Sequence, residues 1–168
     1  MSIPAQGGTG SRLSRVVLDG DSPSQLPPAL EADRSQAVAD LAAENHFTPL
    51  TLKADVPPRG PFVLHLAVQS GHLVFDIRHA DDTPLTVVGL ALGPFRRLVK
   101  DYSMLVDSHI MAVQEGRTDR IQAIDMGRRG LHDEGAALMR ERLAGKIAID
   151  FATARRLFTL VCVLHQRL

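Results

Sequence analysis

The stretch AIDMGRRGLHDEG, residues 123–135, places two Arg, one His, three acids and three Gly within thirteen positions. Guanidinium groups pair with carboxylate or phosphate through two parallel hydrogen bonds. An imidazole oriented by a neighbouring carboxylate can move protons near neutral pH. His132, followed by Asp133 and Glu134, is therefore the candidate catalytic acid or base, and Arg128 and Arg129 are candidate anion ligands. Two further Arg-Arg pairs, in PFRRLVKDY and TARRLFTL, add Arg96 and Arg155 to the anion-binding candidates. Together these residues would make an anion-binding or hydrolytic protein for a phosphate or carboxylate.

A helix gives the same stretch a second reading. Asp125 reaches Arg128 and Arg129 at three and four steps, and Arg129 reaches His132 and Asp133 likewise, a solvated ladder of ion pairs. Arg128 resists that reading. It falls between the apolar positions Ile121, Ile124, Leu131 and Leu138, so it points partly inward and needs an acid or an anion. Asp76, Asp101 and Asp150 are the candidate structural partners. Gly127 and Gly130 flank the Arg pair, where each Gly costs a helix interior about 1 kcal/mol relative to Ala. Close packing or a ligand near the backbone is the expected compensation.

No phosphate-binding glycine loop, nucleophile elbow, zinc-protease helix or paired-cysteine motif is present. The seven His residues show no metal-ligand spacing, so neither metal nor cofactor is expected. Nineteen basic and nineteen acidic residues balance, and aromatics are only 4%, which argues against a nucleic-acid partner. Sixteen of the bases are Arg. The single Cys162 excludes an intrachain disulfide and fits a reducing cytoplasm. No apolar run approaches the roughly 18 residues of a membrane helix.

The elements that must carry these residues follow from periodicity. Residues 1–11 read as a disordered tail and 12–168 as a single α+β domain. A short strand over 12–20 precedes a helix from Ala29 to about Glu44, with Leu30, Ala37, Val38 and Leu41 on its apolar face. A loop follows, with a short extended piece near Leu50–Lys53. Two alternating runs around Ser70-Gly71 predict a hairpin that sets Gln69 against His72. That register puts His65 opposite Asp76 and predicts a structural pair between them. Thr86, Val88 and Leu90 extend the core face in a third strand, making an antiparallel meander of about three strands. Leu85, Val87 and Ala91 make the other face apolar as well, so something must cover it. Three helices complete the domain, packed on the sheet: about 95–116, 118–145, and one capped by Asp150 that runs to about His165.

The phrases LVFDIR, PFRRLVKDY, AIDMGRRGLHDEG and IDFATARRLFTLVCVLHQR resemble, in the same order, a small and mainly alphaproteobacterial uncharacterised protein family. The resemblance covers nearly everything after about residue 30, while IPAQGGTGS and DVPPRG lie outside it. It implies a shared fold. The family carries no assigned function, so no catalytic residue transfers.

The leading expectation is a cytoplasmic interaction or adaptor domain without catalytic activity. Its partner would be a protein, most simply a second copy covering the second sheet face. The alternative is the anion-binding or hydrolytic protein that uses GRRGLHDEG on an anionic small molecule. Neither reading involves a membrane.

Overall fold

The computed structural model describes residues 9–19, 26–50 and 58–165. The elements run β1 (Leu13–Leu18), α1 (Pro28–Ala43), β2 (Phe47–Pro49), β3 (Phe62–Gln69), β4 (His72–His79) and β5 (Pro84–Ala91). They continue with α2 (Arg96–Gln114), α3 (Thr118–Leu143), β6 (Ile147–Ile149) and α4 (Phe151–His165). The architecture is α+β, with a four-stranded sheet ordered β1-β3-β4-β5.

The hairpin forms as the sequence predicts. Ser70 and Gly71 both take positive φ, 50° and 74°, the backbone twist that a two-residue turn needs between right-twisted strands. Gln69 then pairs with His72, Leu66 with Phe75 and Leu64 with Ile77, so all four of those apolar side chains are buried on one face. β5 continues this face with Val88 and Leu90. Beyond Thr86 the β4–β5 register slips, and Arg78 pairs with Pro84. Leu85 is the extra residue of this bulge and packs against the core cluster, not on the far face as strict alternation would place it.

Three features depart from expectation. β1 joins the edge of the meander in parallel with β3, after a crossover that includes α1. Alternation reports which face is buried but carries no strand direction. A short strand not expected from the sequence falls at Phe47–Pro49 and pairs antiparallel with β6, while the extended piece expected near Leu50–Lys53 lies almost wholly outside the described residues. Three-residue strands are too short to show a period, and residues 51–57 lie outside the described ones. At the end of the stretch expected as a tail, Thr9–Ser11 form a 3-10 turn, and the Gly60 N–H donates to the Gly10 carbonyl at 2.9 Å. Residues 1–8 lie outside the described residues.

α4 is the centre of the packing. Leu157, Phe158, Leu160, Val161, Cys162 and Val163 are all buried, so this helix is apolar on nearly every side. Asp150 caps it by accepting from the Thr153 N–H at 2.9 Å. Burial pushes the Cys162 thiol up, which leaves it inert. No helix among the described residues is long and apolar enough to cross a membrane.

Candidate functional site

Arg128 does point inward, and its partner is Asp33. Arg128 Nη2 donates to Asp33 Oδ2 at 2.8 Å, and the buried Tyr102 hydroxyl donates to the same oxygen. The guanidinium carbon lies 5.9 Å from the centroid of the Tyr102 ring, within reach of a cation–π contact. Burial opposes the charge on Arg128, but Asp33 and Tyr102 outweigh it and hold the guanidinium above its ordinary pKa. Burial and the neighbouring carboxylate likewise drive the Tyr102 phenol far up, so it acts only as a donor. Arg128 Nε is buried and has no hydrogen-bond partner among the described residues. None of Asp76, Asp101 or Asp150 serves Arg128. A signal for Asp33 was present: it falls in the α1 stripe with Leu30, Ala37 and Leu41, where an acid facing inward needs a buried base.

The ladder expected along α3 is not built. Asp125 lies 3.9 Å from His109, and Arg129 is exposed to solvent. Arg96 is exposed too, while its neighbour Arg97 bridges Asp101 and Glu134. Nor do Gly127 and Gly130 mark a crowded backbone. A Cβ on Gly127 would make ordinary contact with Leu105 at 3.5 Å, and one on Gly130 would meet nothing within 4 Å. The crowded position is Gly135, where a Cβ would run into the Phe158 ring of α4.

His132 and Arg155 do come together. They line a cavity of about 280 Å³ between α1 and α4, which Asp33, Asp40, Arg156 and Thr159 share. The Thr159 hydroxyl donates to the Arg155 carbonyl at 3.1 Å, which leaves its oxygen to accept from His132 Nε2 at 3.3 Å. The His132 ring stacks edge-on to Phe158, with centroids 6.1 Å apart, and lies 5.7 Å from Tyr102. Burial, with Arg155 and Arg128 nearby, lowers the imidazole pKa below its ordinary value, so the ring is neutral at neutral pH. Arg155 Nε sits 3.5 Å from Asp133. Of the candidates Arg96, Arg128, Arg129 and Arg155, only Arg155 lines this cavity.

The expected His65–Asp76 pair is replaced by a wider network on the far face of the sheet. The two residues are register partners, but the His65 ring lies between Asp19 and Asp82, with Nδ1 3.3 Å from one carboxylate and Nε2 3.2 Å from the other. Asp76 accepts from Arg78 at 2.9 Å instead, and Arg78 also reaches Asp82 at 3.1 Å. Asp82, hydrogen-bonded to His65 and flanked by Arg78 and Arg15, is held below the usual carboxylate range. Charged side chains thus occupy much of a face expected to be apolar, and Val87 stands 64% exposed beside them. Among the described residues, no group of three or more His, Cys, Asp and Glu is placed to hold a metal ion.

The exposed apolar surface gathers elsewhere. α2 and α3 form an antiparallel hairpin, with Arg97 opposite Glu134, Leu105 opposite Gly127 and His109 opposite Asp125. Tyr102, Val106 and Arg128 face inward from it. Met104 precedes Leu105 as Met126 precedes Gly127, so the two-fold relation of an antiparallel pair puts both on the opposite, outer side. Met111 lies two turns beyond Met104 on that side. The three methionines are 58%, 72% and 54% exposed for Met104, Met126 and Met111.

A family model for an uncharacterised protein family, UPF0262, matches residues 10–167. The chain belongs to this family. Among its relatives, a UPF0262 protein of Granulibacter bethesdensis is 66% identical over 160 residues, covering 94% of this chain and 91% of that protein. One from Acidiphilium cryptum is 58% identical over 156 residues, 93% of each chain. A third, from Rhodopseudomonas palustris, is 47% identical over 167 residues, 99% of each. All three come from alphaproteobacteria. No solved structure matches the chain. The family assignment supports the resemblance carried by the four phrases and adds no residue role to it.

Proposed function

We propose that the protein is a non-catalytic interaction module that self-associates through the outer side of the α2–α3 hairpin. The observation that carries this reading is the exposure of Met104, Met111 and Met126 on one side of a hairpin whose other side packs inward through Tyr102, Val106 and Arg128. Methionine fills irregular interfaces well, because its unbranched side chain adapts to whatever it meets. Gly130 supports the same side. It is a helix-interior glycine with open space where its Cβ would stand, and a second helix approaching there would give its absence a use. The hairpin carries both signs of charge, four acids (Asp107, Glu115, Asp119 and Asp125) against three bases (Arg117, Arg120 and Arg129), which lets a second copy meet it without a strong like-charge field. The reading replaces the sheet face as the contact, because charged residues now occupy much of that face. A cytoplasmic setting belongs to it, supported by one Cys, buried, in the whole sequence.

The competing reading, an anion-binding or hydrolytic protein built on GRRGLHDEG, draws less support. Arg128 is engaged by Asp33, and Arg129 and Arg96 lie outside the cavity that holds His132 and Arg155. Light scattering on the wild-type chain and on Met126→Glu tests the proposal. A wild-type dimer is expected, with the variant weakened more than about tenfold in self-association and unchanged in Tm measured as a monomer. A wild-type monomer at every accessible concentration overturns it.

A further inference from the structure

The cavity between α1 and α4 has a charge pattern that the interaction reading leaves unused. Asp33 and Asp40 lie two turns apart on one face of α1, and Arg155, Arg156 and Thr159 lie on the facing stripe of α4. The helices run in opposite directions. Arg156 Nη1 donates to the Glu44 carbonyl just past the end of α1 at 2.7 Å, while Thr159 meets His132 near Asp33. One wall is therefore acidic and the other basic over roughly 10 Å of helix. Each charged group keeps capacity that no described residue uses. Asp33 receives both its hydrogen bonds on Oδ2, and Asp40 accepts from Gln36 on Oδ1 alone. Arg156 engages Glu44 through Nη1 only, and Arg155 approaches Asp133 through Nε, leaving its two terminal nitrogens.

We propose that this cavity binds a small zwitterion of amino-acid size. Its carboxylate would sit on Arg155 and Arg156, and its ammonium would face Asp33 and Asp40. The volume, about 280 Å³, falls just below the range of drug-sized ligand sites, about 300 to 1,000 Å³, and suits a smaller molecule. A phosphate or other polyanion fits the wall badly, because Asp40 would repel it and it offers no donor to the free Oδ1 of Asp33, whose charge Arg128 already meets. A simple amine would leave the guanidinium groups unused. Both charges on one small molecule satisfy both walls.

The experiment titrates each of the twenty free L-amino acids, inorganic phosphate, acetate and ethylamine into the ¹⁵N-labelled wild-type protein, followed by amide shifts and calorimetry. At least one amino acid is expected to bind, with shifts centred on residues 33–40, 132 and 155–159. Arg156→Gln and Asp40→Asn, both outside the core, are each expected to weaken it about tenfold, the effect of losing one charge-assisted contact. Arg129→Gln is expected to leave it unchanged. Phosphate or acetate binding as tightly as any amino acid overturns the proposal, as does binding that ignores both substitutions, or no binding at all. Neither charge substitution touches the outer side of the hairpin, so self-association and this site fail or stand separately.

Discussion

At the scale of single residues, Asp33 does the work that the sequence seemed to ask of an outside anion. It accepts from Arg128 and from Tyr102, and with these two donors it offsets the burial of a charged pair. Asp33→Ala leaves a half-buried guanidinium and a buried hydroxyl without their acceptor. The expected loss is about 2 kcal/mol, seen as a Tm lower by about 4–8 °C in a domain of this size. Replacing all three members, Asp33→Leu with Arg128→Met and Tyr102→Phe, should recover most of it, whereas the exposed Arg129→Ala should change stability by less than about 0.5 kcal/mol. His132 has a pH signature. The unfolded chain protonates this imidazole near its ordinary value of about 6.5, while burial keeps it neutral to lower pH in the fold. The unfolded state therefore binds more protons in that interval, and stability falls as pH drops through it. His132→Gln should flatten the Tm profile just below about pH 6.5; an unchanged slope would assign the acid sensitivity to other groups. The inward tilt of Arg128 was legible from its place in the apolar stripe of α3. Its partner was not read, because Asp33 lies 95 residues away and periodicity along one helix says nothing about which helix faces it.

At the scale of elements, the three glycines of α3 separate by what faces them. Gly135 meets Phe158 so closely that a methyl group cannot be added without moving one helix from the other. Gly135→Ala should cost about 1–3 kcal/mol by overpacking, measured by denaturant unfolding. Gly130 has open space, and Gly130→Ala should stabilise the isolated chain by about 1 kcal/mol through helix propensity while weakening self-association. A destabilised Gly130→Ala monomer would contradict that assignment. Helix extents, the hairpin turn and its register were all legible, because each rests on local chemistry: apolar spacing, the Ser70-Gly71 turn, the Asp150 cap. The parallel β1 and the β2–β6 pair were not, since strand direction and three-residue ladders are fixed by distant neighbours. The bulge at Leu85 belongs with them, for one extra residue reverses the side on which a chain of alternating residues points.

At the scale of the whole molecule, α4 forms the hub and the helices cover one face of the sheet, leaving two differently dressed surfaces. The sheet's outer face is tied down by His65, Arg78 and their carboxylates, and the α2–α3 hairpin presents three methionines that are more than half exposed among the described residues. That contrast was not legible in the sequence, where Leu85, Val87 and Ala91 pointed to an apolar outer sheet face and nothing marked the three methionines as one surface. It moves the expected contact between copies from the sheet to the hairpin. The most direct test is an isotope-filtered NOE experiment on a mixed sample, one half carrying ¹³C-methyl methionine and the other half unlabelled. Intermolecular NOEs from the methyl groups of Met104, Met111 and Met126 to the facing α2–α3 helices are expected. A sample that forms no dimer, or one whose three methionine methyl groups see no protons of the other copy, would contradict the interaction module proposed for this fold.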